Sequence, residues 1–145
     1  MKVLIIAFIF ALGSIGISSC NKDKNNGYFN IPNVPVDIYI FTNDPQFFNL
    51  SIVGGWGYLQ GGSRGILVYH ASNNEYTALE RHCPHDATLS NSIADIDSSN
   101  YVLAQCRTCA SKYVLFDGSV SSGPANIALK RYRTQITGNQ LRIFN

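Results

Sequence analysis

The sequence predicts an all-β domain with an antiparallel sandwich or barrel arrangement. Its apolar stretches are short and rich in β-branched and aromatic residues, and turn segments separate them at intervals of roughly 8–12 residues. Behind the first twenty residues, no stretch has the apolar spacing of an amphipathic helix. The chain has 145 residues, of which 46% are hydrophobic and 14% are charged. This composition excludes a disordered chain and a coiled coil, and the length favours a single domain.

The first half of the domain contains the first predicted strands. Residues 36–41 alternate between polar and apolar side chains and include β-branched residues, which is typical of a strand. Asn43-Asp44-Pro45 then predicts a turn. Two further short strands are predicted, each ended by a pair of glycines: 50–53 and 56–60.

The remaining predicted strands form hairpins or precede short polar turns. Ser72-Asn73-Asn74 predicts a hairpin turn between two strands, and Thr137-Gly138-Asn139 predicts a second. The strands expected in this part of the chain are 65–71, 75–80, 101–105, 112–116, 128–136 and 140–144.

The N-terminus has the features of an export signal. A basic start is followed by an apolar run, which ends in small residues before Cys20. Ile17-Ser18-Ser19-Cys20 resembles the lipobox of bacterial lipoproteins, and this implies a signal peptide over 1–19 and lipidation of Cys20. The alternative is an ordinary signal peptide that leaves Cys20 as a free thiol.

The segment after Cys20 is polar and aperiodic. The sequence therefore predicts a flexible tether over 20–35 and one domain over 36–145. We expect a protein of the bacterial cell envelope, anchored in a membrane, with the outer membrane favoured, on its periplasmic or surface face. Nucleic acid is not expected as a partner, because the net charge is only +2 and no basic run concentrates it.

One pattern carries metal chemistry: Cys83-x-His85 and, 20 residues later, Cys106-x2-Cys109. Each pair is short enough to place two donors on one centre, and the intervening segment can bring the pairs together. Thiolates and imidazole select zinc, copper or iron–sulfur centres over magnesium or calcium. His82 has the wrong spacing to share an ion with Cys83 and is predicted to be a surface residue or a neighbour of the site.

This pattern resembles the Rieske iron–sulfur family, which has C-x-H in one loop and C-x2-H in a second. The similarity covers roughly 36–145 and extends to 112–120, to the proline loop 122–125 and to the closing strands 127–132 and 140–143. It implies three antiparallel sheets with a small subdomain, formed by the two loops, that holds a [2Fe–2S] cluster. It also implies that Ser111 and Tyr113 touch the cluster or its ligands, and that Gly123 and Pro124 cover it.

Three positions differ from the family pattern. Cys109 occupies the second histidine position, and Ala87 and Ala110 stand where glycine is usual. Exchanging imidazole for thiolate adds negative charge and should lower the potential below the usual Rieske range of roughly −150 to +300 mV. Arg81, Arg107 and Lys112 are candidates to offset that charge, or else they are solvated surface residues.

The residues leave three outcomes open for this site: a [2Fe–2S] cluster for electron transfer, a structural zinc, or a Cys106–Cys109 disulfide. No twin-arginine motif precedes the apolar run, which counts against export of a folded, loaded protein.

The functional hypothesis is a membrane-anchored one-electron carrier that serves an unidentified redox partner, without substrate turnover of its own or as a subunit of an oxidoreductase. The alternative is a binding or structural lipoprotein with a degenerate site. No catalytic nucleophile–base pair is predicted.

Overall fold

The computed structural model describes residues 30–145 and confirms the all-β prediction. Ten strands and one 3-10 helix (Pro45–Ser51) make up this part of the chain. The strands are β1 (Asp37–Phe41), β2 (Trp56–Leu59), β3 (Ile66–Ser72), β4 (Glu75–Glu80), β5 (Ala94–Ile96), β6 (Leu103–Cys106), β7 (Lys112–Val114), β8 (Val120–Ser122), β9 (Arg131–Thr137) and β10 (Gln140–Phe144).

Six strands form a large antiparallel sheet in the order β1-β10-β9-β4-β3-β2. The resemblance implied three sheets, and β9 explains why two of them are continuous here. Along its length β9 pairs with β10, and through Tyr132 and Arg131 it also pairs with β4. The predicted hairpins β3–β4 and β9–β10 are both present.

The prediction of a strand over 50–53 is wrong. Residues 45–51 form a 3-10 helix, and the Asp44 side chain caps it by accepting a hydrogen bond from the Gln46 backbone N–H. Pro45 at the first helical position fits this start, because proline lacks the N–H that such a position leaves unpaired. Leu50 packs into the core from this helix and is fully buried. Of the apolar residues at 50–53 only Leu50 faces the core, whereas Ile52 and Val53 follow the helix and are exposed.

Four strands form the second sheet in the order β5-β6-β7-β8. Its middle strands were predicted, but its edge strands were not. β5 lies inside the polar segment 90–100, and β8 has only three residues, so neither carries an apolar pattern of its own. Both edge strands are held in place by hydrogen bonding to their neighbours: Ala94 of β5 pairs with Cys106, and Ser122 of β8 pairs with Lys112.

The predicted signal peptide, Cys20 and most of the tether lie outside the described residues. Residues 30–35 of the predicted tether are described, and Ile31 among them is buried. Asn33 accepts a hydrogen bond from Lys130 Nζ, so the chain contacts the domain before residue 36. Within residues 30–145, no helix is long and apolar enough to cross a membrane.

A fully buried carboxylate joins the large sheet to the segments that lead to the second sheet. Glu80, at the end of β4, accepts hydrogen bonds from the backbone N–H groups of Ser63, Arg64 and His82 at 2.7–3.0 Å. It also accepts one from the Tyr132 hydroxyl at 2.7 Å. Burying a polar group lowers the stability of the fold much less when its hydrogen bonds are satisfied, and these four donors satisfy the Glu80 carboxylate.

Replacing Tyr132 with Phe should lower the free energy of unfolding by about 1–3 kcal/mol, because it removes one of these donors from a buried acceptor. Tyr39→Phe is the matched control, since Tyr39 is half exposed and should change stability by less than about 0.5 kcal/mol. Urea unfolding followed by circular dichroism measures both. Equal stability of the two variants would contradict the role given to the Glu80 network.

Candidate metal centre

Two loops at one end of the second sheet bring three of the four predicted ligands together. Cys83 lies in the connection between β4 and β5, while Cys106 and Cys109 flank the turn between β6 and β7. The three Sγ atoms all lie within 4.8 Å of one another, and those of Cys83 and Cys109 are 3.7 Å apart. Cys83 and Cys106 are buried, Cys109 is partly exposed, and all three thiols are free.

The fourth predicted ligand, His85, lies outside this group of thiols. Its side chain is exposed, and its Nε2 atom is 3.9 Å from a carboxylate oxygen of Asp86. The backbone of His85 nevertheless hydrogen-bonds the Cys83 sulfur. The first loop therefore turns tightly at Pro84, with the thiol pointing inward and the imidazole at the surface.

Hydroxyl groups surround the thiols. The Tyr113 hydroxyl is 3.1 Å from Cys83 Sγ, and Thr108 Oγ1 is 3.2 Å from Cys106 Sγ. Cys109 Sγ donates to Ser111 Oγ at 3.1 Å, and Ser111 also accepts from the Ala125 backbone N–H at 3.0 Å. Ser111 and Tyr113, which the resemblance places beside the cluster or its ligands, contact the sulfurs of Cys109 and Cys83.

The loop that carries Gly123 and Pro124 packs directly on the second cysteine loop. Gly123 has φ +101°, and a Cβ atom there would come within 2.5 Å of Ser111 Cα. Only glycine allows so close an approach, which brings the Ala125 N–H onto Ser111. Pro124 itself is exposed. That this loop covers a cluster stays a prediction of the resemblance, while its contact with the second cysteine loop is present.

Ala110 is one of the two positions where the family usually has glycine, and its backbone conformation shows why glycine is usual there. It has φ +56°, a left-handed conformation that alanine adopts at an energetic cost and glycine adopts freely. The turn is retained because the Ala110 N–H donates to the Cys106 carbonyl at 3.1 Å. The second loop thus keeps its shape despite a less suitable residue.

The environment affects the two buried thiols differently. Burial raises the pKa of Cys83 to about 12. Burial also acts on Cys106, but hydrogen bonds from the Cys109 backbone N–H and the Thr108 hydroxyl outweigh it and lower the pKa of Cys106 to about 7. The pKa of Tyr113 is raised, mainly by burial and then by its bond to Cys83, so its hydroxyl stays protonated.

Arg64 holds the first loop in place, a role that sequence reasoning missed. Its guanidinium donates to the carbonyl oxygens of Ala87, Leu89 and Ser92, all in the connection that follows Cys83. His82 is buried rather than exposed, with its ring nitrogens near Ser63 Oγ and the Ala87 carbonyl oxygen. No local signal marks Arg64, because its targets are backbone groups more than 20 positions away.

The cations expected to offset the extra thiolate charge are paired with carboxylates. Asp95 bridges Arg81 and Arg107, and Asp97 contacts Lys112 at 2.6 Å. The hydrogen bond from Lys112 is the largest cause of the lowered pKa of Asp97. These pairs fasten the β5 strand to both loops, and the neighbouring acids take up much of the positive charge.

The donor set fits a soft metal centre. Three thiols converge in a largely buried space, with hydroxyl groups placed to donate to sulfur, and His85 offers an imidazole two residues from Cys83. Such donors suit zinc or an iron–sulfur cluster. This fit rests on three convergent side chains and a fourth at the rim.

Comparison with known proteins finds no matching family model and no matching curated protein. Among solved structures, the chain is similar to the plasma-membrane Rieske protein PetC3 from Synechocystis PCC 6803, with a TM-score of 0.57 and 18% identity. That alignment covers 74% of this chain and 99% of that one.

A second similar structure comes from a variant oxygenase–ferredoxin complex of carbazole 1,9a-dioxygenase, with a TM-score of 0.52 and 16% identity. The alignment covers 83% of this chain and 32% of that chain. At these identities the similarity establishes the fold. The chain has the fold of the Rieske iron–sulfur proteins, as its sequence motifs indicated.

Proposed function

We propose that this protein is a one-electron carrier whose [2Fe–2S] cluster is held by Cys83, Cys106, Cys109 and His85. The observation that carries this proposal is the convergence of three free thiols between two loops of a Rieske fold. The four donors are the thiolate and imidazole types that hold such clusters.

The hydroxyl groups in contact with the cysteine sulfurs favour a cluster-binding site over a site that only packs the core. Tyr113 would donate to the Cys83 sulfur, and the Ser111 hydroxyl, which accepts from the Cys109 thiol at 3.1 Å, would donate to its sulfur once Cys109 is a thiolate. When bound, the [2Fe–2S] cluster accepts and returns a single electron. Hydrogen bonds to ligand sulfurs stabilise the added negative charge, so these hydroxyls would raise the potential.

The exposed side of the site faces a redox partner in this proposal. His85 is exposed and Cys109 is partly exposed, whereas Cys83 and Cys106 are buried. A partner protein would therefore approach at the His85–Cys109 edge. One similar structure is a complex between an oxygenase and a ferredoxin, which is a precedent for that kind of partner in this fold.

We further propose that lipidated Cys20 holds the domain at a membrane of the bacterial cell envelope. The support is the lipobox-like sequence alone. The domain would carry electrons without turning over a substrate, or would serve as the electron-transfer subunit of an oxidoreductase.

A zinc site is the second candidate, and one observation favours it. The 3.7 Å between the sulfurs of Cys83 and Cys109 matches the edge of about 3.8 Å in a tetrahedron with Zn–S bonds of about 2.3 Å. The three sulfurs would fill three of the four positions around a tetrahedral zinc ion. The protein would then be a structural or binding lipoprotein.

Metal analysis decides between these candidates. The chain carrying Cys20→Ser, reconstituted without oxygen from ferrous iron and sulfide, should hold about two irons and two sulfides and absorb visible light. His85→Gln should lose the cluster or change its spectrum, whereas the neighbouring Asp86→Asn should keep both. One zinc per chain that iron and sulfide cannot replace would contradict the cluster.

Cys109→His should raise the reduction potential by on the order of 100 mV, because imidazole is neutral where thiolate is charged. Protein-film voltammetry of the two reconstituted proteins measures the difference. Cys109→Ser is the control and should lose the cluster, since the hydroxyl is a poor ligand. An unchanged potential in the histidine variant would show that residue 109 is not a ligand.

A further inference from the structure

We propose that in the metal-free protein Cys83 and Cys109 form a disulfide that excludes metal from the site. Their sulfurs are 3.7 Å apart and belong to different loops. A disulfide requires about 2.05 Å, so the two atoms must approach by about 1.7 Å. This proposal does not depend on which metal the site binds.

The second loop is the part that moves. Cys83 is held from its backbone, because its N–H donates to the Ser92 carbonyl at 3.0 Å. The second loop is tied through Arg107 to Asp95, but beyond that point Thr108 and Ala110 on either side of Cys109 are exposed, and Ala110 has the unfavourable φ of +56°. A small shift of this turn brings Cys109 onto Cys83 without disturbing the sheet.

Exposure sets the order of the chemical steps. Cys109 is the only partly exposed thiol of the three described, so it meets a small-molecule disulfide such as glutathione disulfide first. Its thiolate attacks one sulfur of that reagent, forms a mixed disulfide and releases one glutathione thiolate, which takes up a proton. The Cys83 sulfur then loses its proton as it attacks the Cys109 sulfur, the mixed disulfide breaks, and the second glutathione leaves as a thiol. The reagent gains the two electrons that the protein thiols lose.

Two features favour Cys83 over Cys106 as the partner of Cys109. Both sulfurs contact a hydroxyl, Cys83 that of Tyr113 and Cys106 that of Thr108, but the Cys83 sulfur also contacts the Cys109 sulfur directly at 3.7 Å. A Cys83–Cys109 bond also closes a segment of 27 residues, against four for Cys106–Cys109. Closing the longer segment removes more conformational entropy from the unfolded chain, so this bond is the more stable product.

Peptide mapping tests the pairing. The full chain with Cys20→Ser is stripped of metal under reducing conditions, exposed to glutathione disulfide, alkylated and digested. Trypsin cleaves after Arg81 and Arg107, and an endoproteinase specific for aspartate cleaves before Asp86 and Asp97, so the three cysteines fall in separate peptides.

We expect the free thiols to fall from three to one, with peptides 82–85 and 108–112 joined and Cys106 alkylated. Uptake of Zn²⁺ should be lost and should return when a dithiol reductant is added. Cys106→Ser should still form the bond, and Cys109→Ser should not.

A Cys106–Cys109 or Cys83–Cys106 bond would overturn the proposal, and so would three alkylated thiols. The results of this peptide mapping can be told apart from the results of the iron and sulfide analysis that tests the proposed cluster. A protein that binds iron and sulfide but never forms this bond contradicts the disulfide alone. One that forms the bond but binds no iron and sulfide after reduction contradicts the proposed function alone.

Discussion

The convergence of three thiols in a largely buried space is the constraint on which the site depends. Three free thiols this close, one of them partly exposed, are placed to bind a soft metal or to be oxidised to a disulfide. The fold creates this situation by placing Cys83 in one loop and Cys106 and Cys109 in another, with Tyr113 and Ser111 contacting the sulfurs.

Polar groups of the scaffold hold the first loop against the large sheet. Glu80, fully buried at the end of β4, accepts the backbone N–H groups of Arg64 and His82, and the Arg64 guanidinium donates to carbonyls beyond Cys83. These contacts hold the backbone on both sides of Cys83, and the Tyr113 hydroxyl contacts its sulfur. Asp95 gives the second loop a similar tie through Arg107.

The sequence was informative where a pattern is local. Alternating apolar residues predicted the long strands, and the cysteine spacing predicted which thiols meet. It was not informative where long-range pairing decides the structure. β5 and β8 have no strand pattern of their own and are extended because they pair with β6 and β7. Residues 45–51 form a 3-10 helix behind an Asp-Pro cap, where the sequence predicted a strand over 50–53. Spacing alone also could not reveal that the His85 imidazole lies at the surface while Cys83 points inward.

Anomalous diffraction from crystals of the protein, measured across the iron and zinc absorption edges, tests the central claim most directly. The account predicts two adjacent iron atoms between the loops, with the sulfurs of Cys83, Cys106 and Cys109 and a nitrogen of His85 as protein ligands. A single zinc bound by the three sulfurs, with His85 remaining at the surface, would contradict it.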